Sequence, residues 1–247
     1  VALITGASSG IGCGIARSLA SRGYDLAVGA RRLDRLEELK ETLLKEFDIK
    51  IYAGKLDVTD RSNFKDFVKN VEQSIGPVDV LVNNAGVMSF TYMKNLKEDE
   101  WDLTVDVNVK GVLNGVGAVL EGMLDRKKGH IVNISSDAGR KAFVGLAVYS
   151  GSKFFVEGFS QALRQETAGT GVRVTTIQPG DVNSELTVRN SQIDQEAYTD
   201  FVASTSQTEN KILDPHDIGD AVAYVVCQPS HVAINEILVE PAHAPAQ

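Results

Sequence analysis

Val1-Ala-Leu-Ile-Thr5-Gly6-Ala7-Ser8-Ser9-Gly10-Ile11-Gly12 opens the chain, and its reading decides the fold. An apolar, β-branched run passes directly into three glycines, and an amphipathic stretch follows over 11–21. That order predicts strand, tight turn, helix. Glycines at 6, 10 and 12 let the backbone turn sharply and approach a ligand closely. The helix N-terminus behind them offers unpaired N–H groups and a positive dipole end, the chemistry that holds a pyrophosphate. The turn is not a nucleoside-triphosphatase phosphate loop, because no Gly-Lys-Ser/Thr closes it. Gly6, Ser8, Ser9, Gly10, Ile11 and Gly12 are therefore the first candidate cofactor contacts.

Outward from this unit the same alternation continues. After the first run (1–5), strands are expected at 26–28, 51–53, 78–82, 130–134, 172–177 and 234–239. Helices are expected at 33–47, 63–75, 98–124, 149–167 and 215–226; the second of the chain's helices carries Leu33, Leu36, Leu39, Leu43 and Leu44 at helical spacing. Seven strands alternating with helices predict one α/β domain over 1–247, a doubly wound parallel sheet with helices on both faces. Right-handed crossovers bring the strand C-terminal ends to one edge, where ligands bind. Residues 181–214 break the alternation with a polar, loop-like stretch, read as a substrate lid.

Composition narrows the function. Of 247 residues 43% are hydrophobic, and no run of about 18 apolar residues suggests a membrane span. Lys and Arg number 25 against 33 Asp and Glu, a formal net charge of −8 that argues against nucleic-acid or anionic-membrane partners. Two cysteines, Cys13 and Cys227, fit a reducing, cytoplasmic setting. The first strand starts at Val1 itself, so a few residues are expected to precede it. His130, His216, His231 and His243 show no ligand spacing, and no metal site is expected. Asn133-Ile-Ser135 is a glycosylation sequon but falls on an expected buried strand.

Four further motifs stand at expected strand ends or helix starts: Asn83-Asn84-Ala85-Gly86, Ser135-Ser136, Tyr149-Ser-Gly-Ser-Lys153 and Pro179-Gly180. With Thr5-Gly6-x3-Gly10-x-Gly12 they run in register along nearly the whole chain, which thereby resembles the short-chain dehydrogenase/reductase family. The resemblance implies a single Rossmann-type domain and hydride exchange with a nicotinamide cofactor. In NAD-specific relatives an acidic residue ends the second strand; here Ala30 stands there, followed by Arg31 and Arg32. No carboxylate repels a 2′-phosphate, and Arg31, supported by Arg32, is placed to bind one, so NADP(H) is expected. Ser9 stands where some NADP users carry Arg or Lys. By resemblance Asp57 and Val58 meet the adenine; Asn83, Ala85 and Gly86 flank the ribose; Pro179, Gly180 and Ser184 meet the nicotinamide end.

Tyr149 and Lys153 lie four apart, on one face of a helix. Moving a tyrosine from its ordinary pKa of about 10 toward 7 takes roughly 4 kcal/mol. An ammonium near 4 Å supplies that order of energy at an effective dielectric of about 20. Lys153, assisted by a positively charged oxidised nicotinamide, is therefore expected to lower Tyr149, the proton donor and acceptor. The resemblance adds Ser136, thirteen positions before Tyr149, to orient the substrate oxygen, and Asn108, which binds a water relaying protons to Lys153. Lys153 and Tyr149 also meet the cofactor ribose. Substrate contacts are expected from Ser136, Asp137, Phe143 and Tyr149, with Met88, Val144 and Leu146 as further liners; Arg140 reads first as a surface or interface residue, with a carboxylate contact as the alternative. Asp137 favours hydroxylated or cationic substrates. The stretch from Ser135 to Lys141 and the closing Glu236–Pro241 resemble 3-hydroxy acid or serine dehydrogenases and clavaldehyde-type reductases. Two other readings compete. A 3-oxoacyl carrier reductase needs a basic docking patch, against which the net acidity argues; a non-catalytic dinucleotide sensor has no need of an intact Asn108, Ser136, Tyr149 and Lys153. A small carbonyl or alcohol is the expected substrate. Apolar residues on more than one face of the helices over 108–124 and 154–167 imply a homodimer or homotetramer.

Overall fold

The computed structural model describes residues 1–205 and 211–243. Seven parallel strands form one sheet in the order β3-β2-β1-β4-β5-β6-β7. They are β1 (Ala2–Thr5), β2 (Leu26–Ala30), β3 (Ile51–Lys55), β4 (Val80–Asn83), β5 (Gly129–Ile134), β6 (Val172–Pro179) and β7 (Glu236–Val239). The order reverses direction between β1 and β4, the switch point of a doubly wound sheet. Central strands are buried on both faces, which is why β1, β2 and β4 read as continuous apolar runs.

Alternate strand residues feed two cores. Ile4, Val28, Val82 and Ile134 pack with helices α1 (Gly10–Ala20), α2 (Leu33–Glu46) and α8 (Pro215–Val226). Leu3, Ala27, Leu81 and Ile131 face the other way, against α3 (Arg61–Ile75), α5 (Gly111–Asp125) and α6 (Ala147–Glu166). The helix starts follow local chemistry. Asp60 caps α3 by accepting from Ser62 N and Asn63 N. Asp214 and Asp217 form a capping box on α8, with Pro215 at its first turn. Glycine permits the closest helix pair: a Cβ on Gly14 of α1 would lie 2.2 Å from Pro215 O, and one on Gly219 of α8 2.5 Å from Gly14 O.

Two expectations change. The single helix read over 98–124 is α4 (Glu98–Val105) and α5 joined by a π-helical turn, Asp106–Lys110. Over Glu98–Asp125 the helical run is long and apolar enough on average to cross a membrane, but charged residues interrupt it and half of its apolar window is buried, as in a core helix. The expected lid at 181–214 is largely helical: a 3-10 helix, Glu185–Gln192, then α7 (Gln195–Thr205), with residues 206–210 outside the described region. Tertiary anchors, not periodicity, order it. Buried Asn190 accepts from Phe90 N at 2.8 Å, and Asp194 accepts from Tyr92 N at 3.1 Å and from Ala197 N at 3.2 Å.

Candidate active site

The glycine-rich turn after β1 is locked to the turn after β4 across the switch point. Thr5 Oγ1 accepts from Asn84 N (3.0 Å) and Ala85 N (2.9 Å), and Asn84 Nδ2 donates to Thr5 O (2.8 Å) and Gly6 O (3.3 Å). Gly6 and Gly10 adopt φ of +66° and +53°, the left-handed region. A Cβ on Gly12 would meet Gly6 O at 2.4 Å, so no side chain fits there. Ser9 is the N-cap of α1 yet makes no capping bond, which leaves the first-turn N–H groups to an anion. Ile11 sits partly buried in that turn.

Arg32 closes over this turn. Its Nη2 donates to Ser9 Oγ (2.7 Å) and Ser8 Oγ (3.1 Å), and its Nη1 to Glu185 Oε2 (2.9 Å). Arg35, one helical turn on, donates to Glu185 Oε1 at 2.7 Å. Arg31, expected to lead, is exposed and has no hydrogen-bond or ion-pair partner among the described residues. Successive side chains leaving a strand point to opposite sides, so only one of the two arginines faces the turn. The residues present fit an NADP-type cofactor: a glycine cradle, free helix N–H groups, an arginine over two serine hydroxyls, and Ala30 in place of a carboxylate.

Other expected cofactor contacts divide. Val58, Asn83 and Ala85 line a shallow, narrow crevice with Thr5, Gly111 and Val112. The Asn83 side chain is buried, donates to Asn133 Oδ1 at 2.8 Å, and its Oδ1 faces Gly115 of α5. Asp57 is engaged locally, accepting from Thr59 N (3.0 Å) and Thr59 Oγ1 (2.8 Å). Pro179 ends β6, and Gly180 N donates to Val239 O at 2.8 Å. Ser184 packs on the glycine turn: a Cβ on Gly10 would stand 3.1 Å from Ser184 Cβ. Gly86 adjoins the chemical end; its added Cβ would be 3.4 Å from Asn108 Oδ1 and 4.0 Å from Lys153 Nζ.

At that end α6 begins two residues before Tyr149, so Tyr149 and Lys153 share an inward face and both are buried. Lys153 Nζ lies 5.5 Å from the Tyr149 ring centroid and donates to Ile134 O at 2.9 Å. Burial pushes the Tyr149 phenol up to about 12; a hydrogen bond with Ser136 draws it back, and the Asp137 charge raises it further. Burial pushes Lys153 down to about 8, opposed by the Glu157 carboxylate. In the protein alone burial outweighs the Lys153 ammonium, which is directed at a carbonyl; the expected lowering drew on the charged nicotinamide as well. Ser136 donates to Asp137 Oδ1 at 2.8 Å and accepts from Ala138 N at 3.1 Å. Asn108 lies in the π-turn. Its Oδ1 accepts from Val87 N and its Nδ2 donates to Val87 O, both at 2.9 Å, and Nδ2 also reaches Ser152 Oγ at 3.0 Å. Such turns often mark functional positions.

Tyr149 packs in a cluster with Phe90, Leu146 and Ala197, flanked by Met88, Tyr92, Phe143 and Phe201. Val144, expected among the liners, is 82% exposed and stands away from it, as the tip of a loop does. Arg140 donates to Gln178 Oε1 at 3.0 Å. Burial, then the Asp137 charge, raise the pKa of Asp181, which places a second carboxyl in the field of the first. Sequence reading missed Asn84, Arg35, Glu157, Asp181 and Glu185. Asn84 had a signal, since it lies in the quoted Asn-Asn-Ala-Gly run; Glu157, one turn beyond Lys153 on the same face, had another.

A doubly wound parallel sheet with a glycine-rich first turn is the architecture of dinucleotide-binding oxidoreductases. Residues 1–195 match the short chain dehydrogenase family model. A glycine betaine reductase, ATRR, of Emericella nidulans is 52% identical over 245 residues, 99% of this chain, and this chain spans 19% of that relative's length. An uncharacterized oxidoreductase of Listeria monocytogenes is 40% identical over 99% of this chain and 97% of its own. The closed form of a serine dehydrogenase complexed with NADP+ superposes with a TM-score of 0.88 at 34% identity, over 99% and 96% of the two chains. The chain belongs to the short-chain dehydrogenase/reductase family of oxidoreductases.

Proposed function

We propose that this chain interconverts a small carbonyl compound and its alcohol with NADP(H), using Tyr149 as the acid/base group. The observation that carries the reading is the convergence of buried Tyr149, Lys153 and Ser136 at the sheet edge that also holds the glycine turn. NADP(H), when bound, supplies or accepts the hydride. Gly6, Gly10, Gly12 and the first turn of α1 hold its pyrophosphate, Arg32 with Ser9 its 2′-phosphate, and Lys153 its nicotinamide ribose. In reduction Tyr149 gives its phenolic proton to the substrate oxygen, and Ser136 hydrogen-bonds that oxygen. A phenol pushed up to about 12 stays protonated at neutral pH, the form an acid needs.

For the substrate, the support comes from charge. Asp137 and Asp181 set two carboxyl groups beside the aromatic cluster around Tyr149. Serine and glycine betaine, named for two relatives, both carry a cationic nitrogen close to the group that would react. A small 3-hydroxy acid or hydroxylated compound bearing a cationic nitrogen is therefore the proposed class. The insert that starts at Asp181 acts as lid. The free cysteines Cys13 and Cys227 fit a cytoplasmic setting. Turnover of NADPH or NADH with paired aldehydes, ammonium-bearing and isosteric neutral, and of NADP+ or NAD+ with 3-hydroxy acids tests the reading. Turnover with NADPH and the cationic member is expected; no turnover on any member, or equal use of NADH, overturns it.

A further inference from the structure

Glu185 is the only ion-pair partner of Arg32, which follows β2, and of Arg35, in the first turn of α2, among the described residues. Its two oxygens are shared between Arg32 and Arg35, at 2.9 and 2.7 Å, while Arg32 also grips the Ser8 and Ser9 hydroxyls. Two guanidinium groups around one carboxylate, one of them also bonded to two hydroxyls, offer the donors of a phosphate receptor, and a side chain fills it. That side chain opens the insert's 3-10 helix, and its neighbour Ser184 sits on Gly10. One short segment thus covers both places where the cofactor's phosphates would bind. Its two ends are held unequally. Asn190 and Asp194 are buried and bonded to the backbone of Phe90 and Tyr92, whereas the Glu185 pairs are about half exposed and individually weak.

We propose that Glu185 occupies the receptor for the adenosine 2′-phosphate, that Arg35 is a second ligand of that phosphate beside Arg32, and that the 2′-phosphate displaces Glu185 from both. The inference rests on the NADP(H) reading. A 2′-phosphate brings about two negative charges, so it and the carboxylate cannot share the fork. The cofactor's phosphate therefore releases the Glu185 end while the Asn190 end stays anchored. NADH lacks the group that competes and leaves the segment latched. Glu185 lowers the affinity for NADP(H) but couples its binding to movement of the segment over the site. Arg35 and Glu185 are specificity-determining residues of opposite sign.

Calorimetric titration with adenosine 2′,5′-bisphosphate and with 5′-AMP tests this on the intact chain, its Glu185→Gln and its Arg35→Ala variants. Folding of each variant is checked by circular dichroism. The unmodified chain should bind the bisphosphate more tightly than AMP. Glu185→Gln should tighten the bisphosphate about three- to tenfold, the loss of two exposed ion pairs, and leave AMP unchanged. Arg35→Ala should weaken the bisphosphate alone. Amide exchange in residues 184–189 should rise when the bisphosphate, not AMP, is added. Unchanged or weaker bisphosphate binding in Glu185→Gln, with the preference over AMP intact, overturns the proposal and spares the NADP(H) reading. Equal binding of the two nucleotides by the unmodified chain overturns both.

Discussion

The ammonium of Lys153 stands 5.5 Å from the centre of the Tyr149 ring and gives its hydrogen bond to the Ile134 carbonyl, not to the phenol. With the phenol pushed up to about 12 and the ammonium down to about 8, the pair is poised for proton donation at neutral pH. Reduction should therefore hold a steady rate from pH 6 to 8, while alcohol oxidation, which needs the phenolate, should climb into alkaline solution. Tyr149→Phe should lower kcat by about 10²–10⁴-fold in both directions without changing NADPH binding. Retention of more than about a tenth of turnover would remove Tyr149 from the acid/base role.

Arg32 and Arg31 separate by geometry. Loss of a charge-assisted phosphate contact costs about 1.5–3 kcal/mol. Arg32→Ala should thus weaken NADPH roughly ten- to hundredfold and NADH little. Arg31→Ala should have the smaller effect in the same fluorescence titration, since Arg31 faces away from the serine hydroxyls in this structure. The reverse ranking would restore the assignment to Arg31.

Asn108 fastens the π-turn to Val87 through both of its amide groups. Asn108→Ala leaves a backbone donor and acceptor short of partners, at about 1–3 kcal/mol. Thermal denaturation should show a fall in Tm by several degrees, accompanied by loss of kcat. Asn108→Asp can still accept from Val87 N but not donate to Val87 O, and should fall between. A variant with unaltered Tm would show that water replaces the amide at no cost.

His130 is buried neutral, with Nε2 against Thr175 Oγ1 at 2.8 Å; burial, with Arg173 opposing its charge, pushes its pKa down to about 3. Its unfolded value is about 6.5. The depressed folded value means stability is complete above pH 6.5 and is lost as pH falls from there toward 3. Between pH 7 and 5 the loss is about 2 kcal/mol. Urea denaturation of His130→Gln should show a flatter acid limb; an unchanged limb would assign acid sensitivity to carboxylates.

Val105, Leu113 and Leu124 on the long helical run and Phe154 on α6 are each more than a third exposed. These apolar side chains lie on the two helices expected to pair across a two-fold axis. Light scattering at micromolar concentration should give a dimer or tetramer, and Phe154→Glu should shift it toward smaller species. A monomer before substitution would refute the assembly.

The strand–turn–helix alternation was readable because parallel strands buried on both faces announce themselves as apolar runs, and Gly6, Gly10 and Gly12 mark where backbone replaces side chain. Tyr149 and Lys153 were readable as spacing, Ser136 and Asn108 only through the family resemblance, and the structure brings the four to one edge. The pKa of Tyr149 was not: two charges on adjacent helix turns can be counted in a sequence, whereas the water each has lost cannot. Arg35 and Glu185 are 150 positions apart, and only the fold puts them in contact. The helical content of 185–205 escaped because its order comes from Asn190 and Asp194 reaching a loop a hundred residues upstream, not from a repeating apolar stripe.

The family model ends at residue 195, but the chain's cooperative unit does not. Gly14 and Gly219 bring the backbones of α1 and α8 into contact. The helix that would seat the pyrophosphate therefore has as its lateral wall a helix more than two hundred residues later. A fragment cut after 195 would keep every motif and expose the apolar flank of the element that bears the first of them. During synthesis the glycine-rich turn, though among the earliest parts to emerge, acquires its final setting among the last, because so distant a contact is slow to close.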